Sequence, residues 1–165
     1  MHYHLRRATP ADDNWQLAIY ASSRADEMAL TGWSPEQCRH FIEQQHRAQQ
    51  QHYLQHFPQS VCQLILVGNT GDEVGGRIWL DERAYGLHIL DITLLPAWRG
   101  QGLGTRCLRA LADAEHCLSI QVELHNPARR LYERLGFVAE GTPQGLHQAM
   151  RRSAVRQLQT EECLP

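Results

Sequence analysis

The chain is 165 residues long, which suits one domain with a substantial hydrophobic core. Its formal net charge of −2 argues against general nucleic-acid binding, because that binding requires a basic face. Five cysteines without a C-x-x-C pair favour reduced thiols over a disulfide framework or a zinc ribbon. The N-terminus has no signal-peptide core and the longest aliphatic run, LILV, is too short for a membrane span. We therefore expect a soluble, cytoplasmic protein.

The sequence of the first half of the chain indicates a strand, two helices and three further strands. A short strand precedes Thr9-Pro10, where an N-cap and a proline at the first helical position predict a helix toward Leu30. Ser34-Pro35 repeats the pattern and predicts a second helix to about Gln55. That helix is rich in Gln and His and its apolar residues are sparse, which favours a position on the surface or at the border of a cleft. Three strands connected by short turns are predicted at residues 61–67, 73–80 and 85–95.

The second half predicts a helix, a strand, a second helix and a final strand pair. Apolar residues at helical spacing indicate the first helix, and the strictly alternating LSIQVEL indicates a strand buried on one side. NPARRLYERLG begins with an Asn cap and ends at Gly136, as helices do. FVAE and LHQAMRR are predicted to pair across GTPQG. The order is β-α-α-β-β-β-α-β-α-β-β, in one domain over residues 1–152 with a loose tail at 153–165.

A glycine-rich segment, RGQGLG, stands between the sixth element of this order and the helix that follows it. A dinucleotide fingerprint fits poorly, because Thr105 occupies the position of its third glycine, and a P-loop lysine is missing. Two interpretations remain. The glycines either serve only a tight turn, or they expose backbone N–H groups at a helix N-terminus that bind a pyrophosphate, with Arg99 adding charge at the rim.

Two blocks of this sequence resemble the GNAT N-acetyltransferases. Residues 99–104 match that family's R/Q-x-x-G-x-G/A signature, and ITLLPAWRG before them resembles its fourth strand. NPARRLYERLGFV resembles a second conserved block of the family. The resemblance covers residues 73–151 in its motifs and, in the order of elements, nearly the whole chain. It implies a mixed α/β (α+β) fold, with a mainly antiparallel central sheet flanked by helices.

The resemblance also implies that the chain uses acetyl-CoA as a cosubstrate. In the family the glycine loop holds the pyrophosphate and the fourth strand binds the pantetheine arm through its backbone. An Asn near the start of the later helix contacts the cofactor, although in this chain it stands two residues before Ala128 where the family often has three. The residues that this assigns to acetyl-CoA are Ile92, Thr93, Leu94, Arg99, Gly100, Gln101, Gly102, Leu103, Gly104, Thr105 and Asn126.

Tyr132 is the candidate general acid. Periodicity alone favours a core aromatic residue at this position of a helix. The surrounding L-Y-x-x-x-G-F block resembles the family's catalytic segment and implies that Tyr132 protonates the departing thiolate. A phenol has an ordinary pKa of about 10 and a thiol of about 8.5, so this proton transfer is chemically suitable.

A general base is also needed, because a substrate ammonium has a pKa near 10. Family members often place a carboxylate on the fourth strand, where this chain has His88 and Asp91. A regular strand directs these two residues to opposite faces. Because a carboxylate in an apolar strand is costly, we rank Asp91 ahead of His88, with Glu123 third. A water chain in place of any side chain is an equal alternative.

The chain has many histidines, but their spacing does not indicate a metal site. His52 and His56 stand four apart on a helix, and His2 and His4 alternate on a strand, but neither pair has an evident third ligand. We therefore expect no metal cofactor.

The resemblance implies that the acceptor enters opposite the cofactor, between the first two helices and the last strand pair. Trp33 would be either a lid for it or a packing residue before a capped helix, and Asp26 and Glu27 either attract a cationic amine or are solvated helix charges. Acetyl transfer to a primary amine, on a small molecule or a peptide, by direct attack in a ternary complex is the leading interpretation. A non-catalytic acyl-CoA sensor and a longer acyl donor are alternatives. The family also suggests a homodimer.

Overall fold

The computed structural model describes residues 2–68, 73–113 and 117–154, with the side chain of residue 113 left out. Its helices and strands follow the predicted order β-α-α-β-β-β-α-β-α-β-β. Two short 3-10 helices, Pro10–Asp12 and Pro96–Trp98, accompany them. The elements are β1 (Tyr3–Arg7), α1 (Asp13–Ala29), α2 (Pro35–His56), β2 (Val61–Val67), β3 (Glu73–Arg83), β4 (Gly86–Leu94), α3 (Leu103–Asp113), β5 (Leu118–Glu123), α4 (Arg129–Arg134), β6 (Val138–Gln144) and β7 (His147–Arg152).

The strands form a seven-stranded sheet in the order β1-β2-β3-β4-β5-β7-β6. The pairs β1–β2, β2–β3, β5–β7 and β6–β7 are antiparallel. β4 and β5 are parallel, through a ladder that joins Leu87–Ile89 to Leu118–Ile120. The predicted fold class, a mixed and mainly antiparallel sheet with helices, is therefore confirmed.

The first of two compact units comprises residues 1–80 and 91–101. Its core contains Ile19 of α1 with apolar residues of β2 and β3. α2 begins at the predicted cap. The Ser34 hydroxyl accepts from the Gln37 N–H at 3.2 Å, and the Gln37 side-chain oxygen accepts from the Ser34 N–H. Among its residues only Ile42 and His46 are buried. The prediction of a surface helix is therefore confirmed.

The connection between β1 and α1 is organised by one carboxylate. Arg6 donates two hydrogen bonds to Asp12, at 2.8 and 3.0 Å. The Thr9 N–H and hydroxyl also donate to Asp12, at 2.8 and 3.0 Å. Arg6, then the Thr9 N–H, hold the pKa of the Asp12 carboxyl well below its usual range. The Thr-Pro signal of the sequence therefore starts the helical segment as predicted, with Asp12 supplying the capping interactions.

The second unit comprises residues 81–90 and 102 onward. α3 buries its predicted apolar stripe, with Leu103, Cys107 and Leu108 almost fully enclosed. β5 buries Leu118, Ile120 and Val122, as its alternation predicts, and also buries Ser119. The core of this unit also contains Phe137 and Met150.

Some boundaries differ from the predictions. β3 extends to Arg83, three residues past the predicted end. β6 continues through most of GTPQG to Gln144, with a register irregularity after Glu140, so that the turn is shorter than predicted. Residues 155–165, most of the predicted tail, lie outside the described residues, and the single-domain prediction stays a prediction. Among the described residues no helix is long and apolar enough to cross a membrane.

β3 carries one extra residue relative to β2. Ile65 pairs with Gly76 and Leu66 with Val74, which leaves Gly75 as the bulged residue. The Gly75 carbonyl accepts from the Leu95 N–H at 2.9 Å. A Cβ at Gly76 would run into the Thr93 carbonyl and Leu94 backbone of β4. Gly76 is therefore required by close approach of two backbones.

We predict that Gly76→Ala destabilises the protein by about 1–3 kcal/mol, because the obstructing atoms belong to the backbone and cannot rotate away. At about 2–4 °C per kcal/mol for a chain of this size, the loss is measurable as a lowered melting temperature. An unchanged melting temperature would contradict the close approach of β3 to β4.

Candidate active site

The glycine loop precedes α3 and has an unusual backbone. Gly100 and Gly102 have φ angles of +72° and +78°, in the left-handed region that disfavours side chains. Apart from the adjoining residues of the chain, no atom of the described residues lies within 4 Å of where a Cβ would stand at either position. The two glycines are therefore required by backbone conformation, and the space beside them is open to a ligand.

α3 begins at Leu103, directly after these glycines. The Arg106 N–H bonds to the Gly102 carbonyl at 3.0 Å, which is the first intrahelical bond of this turn. The N–H groups of Leu103, Gly104 and Thr105 precede it and have no acceptor within the helix. They lie at the positive end of the helix dipole, where an anion is favoured.

Two side chains of the loop hold it to the first unit. Arg99 donates through Nε to the Leu94 carbonyl at 2.8 Å and through Nη2 to the carbonyl and hydroxyl of Ser22, both at 3.1 Å. Gln101 donates to the Ala97 carbonyl. Arg99 thus connects the loop to the end of β4 and to α1, while its predicted role at a pyrophosphate stays a prediction.

Asp91 lies in a buried polar network on β4. Its Oδ2 accepts from Arg77 Nε at 2.8 Å, and its Oδ1 accepts from the Thr93 hydroxyl at 2.9 Å. Arg77 also donates from Nη2 to Gln49 of α2 at 2.7 Å. The Arg77 side chain is 1% exposed and that of Asp91 18%. The carboxylate is therefore held by a buried cation yet retains access to solvent.

The backbone of β4 beside this network is shaped by β3. The Thr93 carbonyl faces Gly76, as described above, and the Leu94 carbonyl accepts from Arg99. Ile92, the third residue predicted to bind a pantetheine arm, is half-buried and directly precedes them. These three residues thus form a continuous segment whose position is fixed by β3 and by the loop.

His88, the other candidate base on β4, is buried. Its Nδ1 lies 2.7 Å from the Ser119 hydroxyl of β5. Burial, and then the nearby Arg83 cation, lower the pKa of His88 to about 4, against the opposing influence of Asp81. The imidazole is thus enclosed and bonded to Ser119, whereas the Asp91 side chain is partly exposed, so Asp91 is the more accessible candidate of the two.

Tyr132 lies on α4 in the second unit. It is 5% exposed, and its ring packs edge-on against Phe137 at 5.6 Å between centroids. The Phe137 N–H donates to the Tyr132 carbonyl at 3.0 Å, which closes the end of the helix. The surrounding Gly-Phe sequence therefore fixes the position of the ring, while its role as an acid stays a prediction.

Asn126 occupies the turn before α4. Its Oδ1 accepts from the Ala128 N–H at 2.9 Å, a capping type of bond, although the helix begins only at Arg129. The same turn borders a cavity of about 560 Å³, lined by Leu124, His125, Asn126, Pro127, Arg129, Arg130 and Glu133.

The third-ranked base, Glu123, is exposed, and its carboxylate lies 4.0 Å from the ring of His147.

The remaining candidates for acceptor and metal binding have ordinary surroundings. Trp33 is 45% exposed and packs edge-on against Phe41, at 5.2 Å. Glu27 pairs with Arg24 on the surface of α1. The rings of His52 and His56 stack at 4.2 Å. Within residues 2–68, 73–113 and 117–154, no group of three or more metal-ligating side chains is present.

Arg77, Gln49 and Ser119 are the polar residues of these networks that the sequence did not indicate. Each bonds a residue distant in the chain, 14 to 31 positions away. The only local signal was an arginine inside the apolar strand EVGGRIWL, which requires a partner if it is buried.

Comparison with known proteins identifies the domain to which the loop and β4 belong. Residues 61–139 match the family model described as "Acetyltransferase (GNAT) domain". The matched range contains β4, the glycine loop, Asn126 and Tyr132. Among curated proteins no significant match to the chain was found.

Solved structures share the fold over nearly their whole length. PaiA N-acetyltransferase of Thermoplasma acidophilum, in complex with coenzyme A, has a TM-score of 0.65 at 15% identity, covering 93% of this chain and 99% of its own. An acetyltransferase of Thermus thermophilus has a TM-score of 0.64 at 20% identity, covering 92% and 97%. The spermidine/spermine N-acetyltransferase SpeG of Vibrio cholerae, in mutant forms, has a TM-score of 0.61 at 17% identity, covering 98% and 100%. These likenesses show the fold.

We predict that His88 makes stability depend on pH between about 6.5 and about 4. In this range the unfolded chain binds a proton at His88 that the folded chain does not, so the free energy of unfolding falls as pH is lowered. His88→Asn, which keeps a polar atom near Ser119, should reduce that slope in chemical denaturation at several pH values. His56→Asn, on an exposed ring, is the matched control and should leave it unchanged. An equal slope in both variants would contradict the assignment.

Proposed function

We propose that this chain, whose residues 61–139 match a GNAT acetyltransferase domain, transfers an acetyl group from acetyl-CoA to a primary amine. The observation that carries the proposal is the loop before α3, where two left-handed glycines leave open space beside the first turn of the helix. Exposed N–H groups at a helix N-terminus are suited to a pyrophosphate.

In the proposed complex the loop from Arg99 to Thr105 holds the pyrophosphate through its backbone. The backbone of Ile92, Thr93 and Leu94 binds the pantetheine arm, with Asn126 as a further contact. Support comes from the sequence signature within the matched domain and from a structural neighbour that was solved with coenzyme A. No metal is part of the proposal.

The proposed reaction is direct attack in a ternary complex. The amine nitrogen forms a bond to the thioester carbonyl carbon, and the resulting tetrahedral intermediate expels the coenzyme A thiolate. Tyr132 gives its hydroxyl proton to that thiolate, and the phenolate is reprotonated from solvent. A positioned acid of this kind contributes about 10²–10⁴-fold to the rate. An N–H group of β4 directed at the oxyanion adds about 10²–10³-fold.

Asp91 is the proposed base, accepting the proton of the substrate ammonium directly or through water. Accessibility supports it over His88: the Asp91 side chain keeps partial solvent access, whereas the imidazole of His88 is buried and bonded to Ser119. The proposed acceptor is a primary amine on a small molecule or peptide; the neighbour named for spermidine and spermine is consistent with this class.

Use of acetyl-CoA is compatible with a cytoplasmic enzyme, and a homodimer stays a prediction from the family.

We predict that acetyl-CoA binds with micromolar affinity in calorimetric titration, and that pantetheine, which lacks the pyrophosphate and adenosine, does not. Gly102→Ala should weaken acetyl-CoA binding about tenfold, because the free loop then relaxes out of the left-handed conformation and its return on binding costs about 1–2 kcal/mol. Gly145→Ala is the matched control, since Gly145 has φ +60° and equally open surroundings in the β6–β7 turn. Equal binding of acetyl-CoA and pantetheine would contradict the assignment of the loop to the pyrophosphate. If acetyl-CoA does not bind, the proposed function is wrong.

We predict that Tyr132→Phe lowers kcat about 100-fold while the Kd for acetyl-CoA stays the same, because only the proton donor is lost. Thiol release during an amine screen measures kcat, and calorimetry measures Kd. Unchanged turnover would exclude Tyr132 as the acid. Acetyl-CoA binding without turnover of any amine by the unmodified protein would favour the non-catalytic sensor, and faster turnover with longer acyl-CoA would reassign the donor.

A further inference from the structure

Arg77 is the most deeply buried charged side chain near the candidate base. It is 1% exposed and uses Nε for Asp91 and Nη2 for Gln49. Its third nitrogen, Nη1, is buried and has no hydrogen-bond partner among the residues that the structure describes. One guanidinium thus joins β3 to β4 and to α2, with a donor left unsatisfied.

Stability does not account for this arrangement. A buried ion pair is commonly no better than apolar residues of the same volume, because desolvation offsets the attraction between the charges. An unsatisfied buried donor adds a further cost. A strand with apolar residues at these positions would pack at least as well. The cost of Arg77 therefore points to a function that needs a fixed charge.

Few charged groups surround the pair. α2 contributes His46, Gln49 and Tyr53, and β2 contributes Cys62. Burial, and then the negative charge of Asp91, raise the pKa of Tyr53 to about 12. Burial raises the pKa of Cys62 to about 11, and burial followed by the Arg77 cation lowers the pKa of His46. These groups stay neutral near pH 7, so Arg77 is the cation that faces Asp91 here.

We propose that Arg77 is the positioning residue for Asp91, and that Gln49 holds Arg77 in the orientation this requires. The inference rests on the proposed function, in which Asp91 accepts the proton of the amine. Arg77 fixes Oδ2 and Thr93 bonds Oδ1, so the carboxylate has one orientation on β4. The planar fork of arginine serves Asp91 and Gln49 together, which the single ammonium of a lysine does not.

The test is a pair of double-mutant cycles in kcat, Gln49→Met and Arg77→Lys, each made with and without Asp91→Asn. The probes are spermidine, lysine and a glycyl dipeptide, and the fastest acceptor is used throughout. In the unmodified background each substitution should lower kcat about tenfold or more, because a misplaced catalytic group loses rate steeply, with the KM for acetyl-CoA unchanged. In the Asp91→Asn background each should change kcat less than about twofold.

Arg83→Lys is the matched control. Arg83 lies six residues further along β3, and its Nε donates to another carboxylate, Asp81, at 3.0 Å. Its replacement imposes a comparable loss of geometry on an arginine–aspartate pair outside the proposed machinery. It should leave kcat unchanged. Melting temperatures of all variants, measured in parallel, separate lost stability from lost turnover.

The outcomes distinguish the two proposals. Equal losses of kcat with and without Asp91→Asn would give Arg77 a structural role only and overturn the positioning proposal. If Asp91→Asn alone leaves kcat intact, Asp91 is not the base and has nothing to be positioned for, while the acetyl-CoA and Tyr132 assignments stand. If Arg77→Lys does not fold, the Gln49→Met cycle decides, because it leaves both charges in place. Failure to acetylate any probe overturns the proposed function and this inference with it.

Discussion

The bond between Arg77 and Asp91 is the interaction on which the middle of β4 depends. Gln49 extends it to α2, so that two strands and a helix share one buried cation. One residue along β3, Gly76 lets the backbone approach the Thr93 carbonyl. Side-chain and backbone constraints therefore act on adjacent residues, and β4 cannot change its register without breaking both. Under the proposed function, in which this strand presents its backbone to acetyl-CoA and a carboxylate to the amine, such a fixed position would be an advantage.

The glycines of this chain serve two different physical purposes. At Gly76 the backbone is extended and the obstacle is another strand, so the side chain is excluded by contact. At Gly100 and Gly102 nothing stands near the missing Cβ, and the left-handed backbone is the reason. Open space together with a constrained conformation is the combination expected of a loop whose backbone is the binding surface. The sequence shows the glycines alike, and only the structure separates the two cases.

Local signals predicted the fold well, and long-range contacts escaped prediction. Caps at Ser34 and Thr9, the glycine after α4 and the strand alternation placed the elements correctly, because each depends on residues within one or two turns. The end of β6 was wrong because GTPQG looks like a turn, whereas the strand continues past a register irregularity to Gln144, which pairs with His147 of β7. Arg77 was overlooked as a partner of Asp91 because the pair is 14 residues apart and leaves no periodic pattern.

The two candidate bases lie on the same strand but in different environments. His88 belongs to the part of β4 that is paired with β5, where its ring is enclosed and bonds Ser119. Burial there lowers the pKa of the imidazole to about 4. Asp91 lies three residues on, past the ladder that ends at Ile89, and combines a buried cation with partial exposure. The sequence ranked these residues by the cost of burying them, and the structure adds that the imidazole is enclosed, whereas the carboxylate is held by a cation and keeps partial access to solvent.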